Sequence, residues 1–369
     1  MRIAVVSAFH ADSTFANVVN SSKMAQGFAE NGHEVLLICK QGQHARSTPA
    51  EHRKRFALPD SVKITMLGAD MDPHVRFPRA ALWRVLLHRS QFVYARNYTL
   101  PCMTGWLGIP TAVETHTGPD NTSKPFLRCM RRFGTTRGLR ALVTIAPVLR
   151  DAYAALGVPR EKMIILPDAV DTAMFQPPDV LGESPYGPGI NVVHCGNLFR
   201  YKGTEEILGA ALLRPEWNFH LIGGRFEDIE TCRSRVRELG VGNVVLHGHI
   251  PHAHIPGYLW HADVLVAPLT TTHESANWTS PMKLGEYMTA RRPVVASDVP
   301  ALRHWVDDGQ VYFIEPDSAQ ALALGIQRAL DDPGREARLQ RAWELAQSWS
   351  FRYRARAVLQ RSLGTRDAL

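Results

Sequence analysis

The sequence predicts an α/β fold made of two domains. The chain has 369 residues, which is enough for two domains with sizeable cores. Short apolar segments of strand length alternate with helix-like segments in two series, and a stretch rich in Pro and Gly lies between the series. These observations predict a first domain at 1–177, a linker at 178–189, a second domain at 190–347 and a last helical segment at 348–369.

The first domain opens with the pattern of a Rossmann-like unit. A strand at 2–7 is followed by a helix at 21–31, a glycine that ends this helix, and an apolar strand at 35–39. No G-x-G-x-x-G follows the first strand, so a dinucleotide is not expected there. Further strands are predicted at 62–67, 91–96, 110–115 and 142–145, and further helices at 81–88, 100–107 and 147–156.

The second domain begins in a similar way, with a strand at 190–195, a turn and a helix at 204–212. The next strand, at 219–222, ends in Gly223-Gly224, which permits close approach of the backbone to a ligand. The remaining strands are predicted at 244–247, 262–269 with its exit loop, and 294–296, and the remaining helices at 255–261, 280–290 and 318–330.

Composition and cysteine usage indicate a globular cytosolic protein. The apolar content of 45% and the charged content of 21% are ordinary. No stretch approaches the ~18 apolar residues that are needed to span a bilayer. The apolar run at the start of the chain is too short for a signal sequence and fits a first strand better. The five cysteines contain no C-x-x-C, which favours reduced thiols over disulfides or a zinc site.

The net charge of +7 belongs to the first half of the chain. Residues 1–182 carry 22 Lys and Arg against 14 Asp and Glu, a balance of +8, whereas residues 183–369 carry 20 against 21, a balance of −1. This excess is consistent with an anionic acceptor, an anionic membrane face or simple solubility.

The segment 124–140 concentrates part of this charge. On a helix, its apolar residues would form a stripe flanked by Arg128, Arg131 and Arg132. Such a segment could lie on an anionic membrane, which would place the protein peripherally at the inner membrane face. It could also be a helix packed on the core with a charged outer face, the interpretation that we favour. Nucleic acid is not an expected partner, because no known nucleic-acid-binding motif is present.

The stretch N-W-T-S-P-M-K-L-G-E-Y-M-T-A-R-R-P-V-V-A-S-D, at 277–298, carries the strongest chemical signal. Ser280 is a suitable N-cap and Pro281 a suitable first helical residue. The start of a helix offers free N–H groups to an anion, and Lys283 in the first turn opposes the helix dipole unless an anionic partner is present. Glu286 could accept two hydroxyl hydrogen bonds. A phosphate at the helix start and a diol on this carboxylate together describe a nucleotide.

This stretch resembles the donor-site motif of family 4 glycosyltransferases. These are retaining enzymes of the GT-B fold, in which two Rossmann-like domains face each other across a cleft. In their Glu-x7-Glu motif the second Glu holds the ribose, and its match is Glu286. The first Glu, which faces the sugar, falls on Trp278, and Glu274 could replace it only if the loop were rearranged.

The turn G-N-L-F-R-Y-K-G, at 196–203, resembles the family motif G-R-L-x-x-x-K-G. The match implies that Lys202 neutralises the donor diphosphate, while the family arginine falls on Asn197. Arg200 and Arg225 are candidates for the missing charge, and the step at His249-Ile250 meets the base in the family. The resemblance thus implies donor-binding roles for Asn197, Arg200, Gly224, His249, Ile250, Glu274, Ser280, Pro281, Met282 and Lys283.

Two polar residues of the first domain, Arg96 and His116, come at the ends of predicted strands, where ligands bind in open α/β sheets. The segment around His116 resembles the family's Val-x-x-His step, whose histidine approaches the donor sugar. Glu114 lies on the same strand face, and we expect it and Arg96 on the acceptor side of the cleft. Residues 161–177 resemble P-N-G-V-D-x-x-x-F-x-P, which lines the hinge in the family, with Asp168-Ala169 in place of Asn-Gly.

The resemblance therefore implies a retaining glycosyltransferase that moves a sugar from a nucleotide diphosphate sugar to an acceptor hydroxyl. His116, Lys202 and Glu286 are the predicted catalytic residues. No metal and no cofactor other than the co-substrate are expected, and the segment 348–369 is expected to cross back onto the first domain. Two alternatives are a nucleotide-sugar epimerase on the same fold and a non-catalytic relative that only binds nucleotide sugars. Base, sugar, acceptor and oligomeric state stay open.

Overall fold

The computed structural model describes residues 1–13, 15–44, 46–273, 275–280 and 282–364. The chain divides into two units, each built around one parallel sheet. The first unit contains Met1–Ala169 and Ser350–Leu369, and the second contains Val170–Trp349. The α/β class is confirmed.

The first unit contains a sheet of seven parallel strands. The strands are β1 Arg2–His10, β2 Glu34–Lys40, β3 Val62–Leu67, β4 Phe92–Arg96, β5 Thr111–Thr115, β6 Leu139–Thr144 and β7 Met163–Ile165. Their order is β3-β2-β1-β4-β5-β6-β7, so the winding direction reverses between β1 and β4. Burial along β1 is nearly continuous, as expected for a parallel strand that is covered on both faces.

Among the described residues, six α-helices join these strands. They are α1 Ala16–Glu30, α2 Pro49–Phe56, α3 Arg76–Leu87, α4 Leu100–Trp106, α5 Lys124–Arg131 and α6 Pro147–Ala155. α1 begins earlier than predicted because its first turns bury polar side chains, including Asn20 and Ser22, which an apolar periodicity does not reveal. Ser22 Oγ lies 2.9 Å from Nε2 of the buried His52 of α2, so tertiary contacts stabilise this part of α1.

The basic segment 124–140 is helical only as far as Arg131. Its apolar residues Phe126, Met130 and Phe133 are buried in the core, whereas Arg131 and Arg132 stay exposed. The helix is therefore packed on the core with a charged outer face. In the described part of the chain, no helix is both long enough and apolar enough to cross a bilayer.

The second unit contains a sheet of six parallel strands. The strands are β8 Ile190–Cys195, β9 Trp217–Ile222, β10 Val244–Gly248, β11 Val264–Ala267, β12 Val294–Ser297 and β13 Tyr312–Ile314. Their order is β10-β9-β8-β11-β12-β13, with the reversal between β8 and β11. The helices are α7 Thr172–Phe175, α8 Thr204–Leu213, α9 Phe226–Leu239, α10 Ile255–Trp260, α11 Ser275–Trp278, α12 Met282–Thr289, α13 Pro300–Arg303, α14 Ala319–Asp331 and α15 Arg335–Gln347.

The segment 178–189, which the sequence suggests as a linker, falls within the second unit. It is anchored there by Tyr186, whose side chain is buried and whose hydroxyl donates to the carbonyl oxygen of Tyr258 at 2.9 Å.

The last helix, α16 Phe351–Leu363, belongs to the first unit. Ser350 caps it by accepting a hydrogen bond from the backbone N–H of Tyr353. It packs closely on α1 at Gly27, where a Cβ atom would lie only 2.3 Å from the carbonyl oxygen of Phe351. The chain thus returns to the first unit after completing the second.

Candidate active site

The carboxyl edge of the second sheet gathers the loops that follow β8, β9 and β10. In open α/β sheets, ligands bind at this edge, next to the point where the strand order reverses. Here that point lies between β8 and β11. The predicted donor residues come from these loops and from α12, so the topology brings them to one edge.

Two glycines make this edge accessible to other groups. Gly196 follows β8 with φ 145°, and Gly223 follows β9 with φ 106°. A Cβ on Gly223 would lie 2.5 Å from the carbonyl oxygen of Gly196, and a Cβ on Gly196 would lie 2.6 Å from Lys283 Nζ. Only glycine fits at these positions, because a side chain would displace the backbone or the lysine.

Two lysines converge on this edge. Lys202 ends a short 3-10 helix, Arg200–Lys202, and its Nζ donates to Thr279 Oγ1 at 3.3 Å. Lys283 lies in the first turn of α12, with its Nζ 3.4 Å from His194 Nε2. Across the described residues, no carboxylate lies within ion-pair distance of either ammonium.

Burial disfavours the charge on both lysines. It lowers the pKa of Lys202, and burial together with the charge of Lys202 lowers the pKa of Lys283 to about 8. Two cations that repel each other in a partly desolvated site would both be stabilised by an anion between them. Chemically, the arrangement is suited to an anion.

Glu286 lies one turn further along α12. Its Oε1 is 3.2 Å from His252 Nε2, and the ring of His252 meets the ring of Phe175 edge-on. The next residue, Tyr287, accepts a hydrogen bond from the backbone N–H of Cys195 at 2.7 Å. α12 is thereby fixed to the end of β8, which sets the distance of Lys283 and Glu286 from the turn at 196–203.

The other predicted donor residues are distributed around this edge. Asn197, Arg200 and His249 are exposed, Ile250 is half-buried, and Gly224 has φ 87°. Ser280 and Met282 flank the start of α12, whereas Glu274 and Pro281 lie outside the described residues. Arg225 is held by Asp228, with its Nε 2.9 Å from Oδ2. Arg225 is therefore paired, whereas Lys202 and Lys283 act on each other electrostatically.

A second charged cluster lies in the first unit, around the end of β5. His116 Nε2 lies 2.7 Å from Glu114 Oε1 and 3.4 Å from Asp168 Oδ1. Arg354 of α16 donates to Glu114 Oε2 at 3.0 Å and to the carbonyl oxygen of Pro167 at 3.1 Å. Arg96 Nε lies 3.6 Å from Glu114 Oε1. The three predicted residues of the first domain are therefore brought together.

This cluster is compensated internally. Glu114, Asp168 and Arg354 are almost fully buried, and Asn20 donates to Asp168 Oδ1 at 2.7 Å. Burial lowers the pKa of Arg96, which the charge of Asp168 partly opposes. Donor atoms of Glu114, His116 and Asp168 lie within 4.8 Å of one another, as a metal site requires. The arginines and Asn20 already occupy the carboxylates, however, so the cluster is better described as an ion-pair network.

The sequence alone does not reveal the contributions of Arg354 and Asn20 to this cluster, or that of His194 to the lysine site. Arg354 lies in W-S-F-R-Y-R, next to other arginines, and no pattern singles it out. A carboxylate on a predicted buried strand, such as Glu114, does require a buried cation. That requirement is the signal that could have prompted the search for Arg354.

Two family models match the chain. The model described as Glycosyltransferase Family 4 matches residues 22–174, and the model described as Glycosyl transferases group 1 matches residues 189–332. Between them they account for most of both units. No curated protein matches the sequence significantly.

Several solved structures share the fold over nearly the whole chain. HepE of Anabaena, crystallised with UDP and glucose, is 15% identical with a TM-score of 0.73, covering 99% of this chain and 100% of its own. A glycosyltransferase of Rickettsia africae is 12% identical with a TM-score of 0.76, covering 99% of both. A sucrose-phosphate synthase of Thermosynechococcus elongatus is 17% identical with a TM-score of 0.69, covering 97% of both.

These similarities confirm the GT-B fold that the sequence predicts. Both family models name the same class of enzyme, and neither describes an epimerase. The chain belongs to the group 1 glycosyltransferases of family 4.

Proposed function

We propose that this glycosyltransferase moves a sugar from a nucleotide diphosphate sugar to an acceptor hydroxyl with retention of the anomeric configuration. The observation that carries the proposal is the pair of partly buried ammonium groups of Lys202 and Lys283. Among the described residues, neither has a carboxylate partner, and both lie at the edge of the sheet where ligands bind.

The chemistry of transfer explains why two cations are needed. As the glycosidic bond to the diphosphate breaks, negative charge grows on the leaving oxygens. Cations that are already in place stabilise this charge without reorganisation, and their effect is larger where water is partly excluded. Lys202 and Lys283 meet this requirement. In the family motif, the second positive charge is an arginine, whose position Asn197 occupies here. We propose that Lys283 provides this charge instead.

Glu286 is placed to hold the ribose. It lies one turn beyond Lys283 on α12, so a nucleotide whose phosphates meet the lysines would bring its diol toward this carboxylate. His252 Nε2 lies 3.2 Å from Glu286 Oε1, so Glu286 Oε2 is left for a hydroxyl group. Ile250, with its neighbour His249, follows β10 at the same edge and is the proposed contact for the base.

In the first unit, His116 is the proposed contact for the donor sugar. Glu114 orients its ring from 2.7 Å, and Glu114 is itself held by Arg354. We assign Glu114 to the support of His116 rather than to the acceptor, because its side chain is fully buried. Arg96 remains the proposed residue on the acceptor side.

The donor to test first is a uridine diphosphate sugar. Structures of Anabaena HepE were obtained with UDP, with UDP and glucose, and with UDP-glucose. We propose that transfer needs no metal, because the two lysines supply the positive charge for the diphosphate. Activity that is unchanged by EDTA would support this point, and activity that requires an added divalent cation would contradict it.

The test of the proposed function is release of nucleoside diphosphate from a panel of uridine, guanosine and adenosine diphosphate sugars. We expect release from one class of donor, with product whose proton NMR coupling shows the donor's own anomeric configuration. An epimerase would convert the donor without release, and a non-catalytic relative would bind it unchanged. An inverted product would contradict retention alone.

A further inference from the structure

His194 is a buried side chain for which the proposed function so far has no role. It lies in β8, next to the residue that ends the strand, and its side chain is 1% exposed. Its Nδ1 lies 3.1 Å from the carbonyl oxygen of Val266, in the neighbouring strand β11. Its Nε2 lies 3.4 Å from Lys283 Nζ. The ring therefore connects the core of the sheet to one of the two cations.

The two contacts determine which ring nitrogen carries the proton. A carbonyl oxygen only accepts hydrogen bonds, so Nδ1 must donate to Val266. Burial, followed by the charge of Lys283, lowers the pKa of His194 well below its ordinary value, although hydrogen bonds to the backbones of Val266 and Asn197 oppose this shift. The ring is therefore neutral, and Nε2 offers a lone pair to the ammonium, which can only donate.

The surroundings of Lys283 show why such an acceptor matters. The other ionisable groups that act on this ammonium are Lys202, the Cys195 thiol and Glu286. Lys202 repels it, and Glu286 is held by His252 rather than by Lys283. Without His194, the flexible side chain could move its charge away from Lys202. The absence of a side chain at Gly196 leaves room for Nζ here, because a Cβ atom on this residue would lie 2.6 Å from it.

We infer that His194 is a positioning residue, whose neutral Nε2 holds the Lys283 ammonium against Gly196 at the place where the leaving diphosphate binds. The inference rests on the proposed function, because it takes a diphosphate as the anion that Lys283 meets. His194 acts through Lys283 and does not itself touch the ligand.

The test is a double-mutant cycle in which isothermal titration calorimetry measures the binding of inorganic pyrophosphate. His194→Phe keeps a ring of similar size but removes the acceptor. We expect it to weaken pyrophosphate binding about tenfold, which corresponds to about 1.4 kcal/mol. In a Lys283→Met background, the same substitution should have no further effect, because its target is absent.

Two further variants keep the test independent of ring shape. His194→Gln can place its amide oxygen near the position of Nε2 and should restore most of the affinity. His194→Asn keeps a donor for Val266 but is too short to reach Lys283, so it should weaken binding as His194→Phe does. Thermal unfolding of each variant checks the fold, and His194→Asn replaces His194→Phe if the latter does not fold.

Equal losses from His194→Phe in the native and Lys283→Met backgrounds would overturn the inference, as would unchanged affinity in every His194 variant. If the variants show the predicted cycle with pyrophosphate but the native protein transfers no sugar, only the proposed function is contradicted. A native protein that transfers sugar but binds pyrophosphate independently of His194 would contradict only the inference.

Discussion

The two charged clusters of this glycosyltransferase differ in how their charges are compensated. In the first unit, Glu114 and Asp168 are buried with arginine, histidine and asparagine partners. In the second, Lys202 and Lys283 are partly buried, have no carboxylate partner among the described residues, and have pKa values lowered by burial. A compensated cluster stabilises and orients its members, whereas an uncompensated one is stabilised by a ligand. We therefore expect the buried ion pairs of the first cluster to control stability, and the two lysines of the second cluster to control binding and turnover.

The largest effect is expected from Arg354→Met. This change leaves Glu114 buried without its closest arginine, and removing one partner of a buried ion pair typically costs ~3–5 kcal/mol. We expect a loss of that size in the free energy of unfolding, measured by urea denaturation. Arg352→Met, on the exposed face of the same helix, is the matched control and should have little effect. Equal losses in the two variants would show that the network does not stabilise the unit.

Lys202→Ala should give the opposite result. It removes a cation from the place where charge grows on the leaving group, and loss of one such donor typically costs ~2.7–4 kcal/mol in barrier. We expect turnover to fall at least about a hundredfold. Stability should not fall, because the substitution leaves no buried carboxylate without its partner. Lys54→Ala, at an exposed helical position, is the control. Near-normal turnover would refute the role of Lys202.

Glu286→Gln divides the donor site into its parts. The amide keeps the size of the side chain but is a weaker acceptor for ribose hydroxyls. We expect UDP to bind about tenfold more weakly and inorganic pyrophosphate to bind as before, both measured by calorimetry. If pyrophosphate binding falls equally, Glu286 acts on the lysine site as a whole and not on the ribose.

Lys283 should make stability and affinity respond to pH in opposite directions. Its folded-state pKa of about 8 lies below the ordinary value of 10.5, so the unfolded chain binds more protons between these values. Stability should therefore rise with pH above 8, whereas pyrophosphate affinity should fall as the ammonium loses its proton. The difference between the native protein and Lys283→Met isolates this contribution. If the Lys283-dependent parts of stability and of pyrophosphate affinity both fell as the pH rose above 8, the lowered pKa of Lys283 would be contradicted.

Sequence patterns predicted much of the fold because parallel strands buried on both faces form nearly continuous apolar runs. The strand at 62–67 was predicted with the bounds that β3 has in the structure. α2 was missed, because the basic run at 52–55 is typical of a solvated loop. Its Thr48–Glu51 capping box and the burial of His52 against Ser22 form the helix instead.

The candidate site was predicted unevenly for a similar reason. Lys202, Lys283 and Glu286 lie in short continuous motifs, so the sequence pattern alone identifies them. Arg354 and Glu114 are far apart in the chain and meet only through folding. His194 was passed over because a histidine within an apolar strand has the same pattern whether it packs in the core or holds a lysine.

A crystal structure of the protein with UDP would test the role of the two lysines directly. We predict that the diphosphate oxygens lie within hydrogen-bond distance of Lys202 Nζ and Lys283 Nζ, with the ribose at Glu286. A nucleotide bound elsewhere, with both ammonium groups still unpaired, would contradict it.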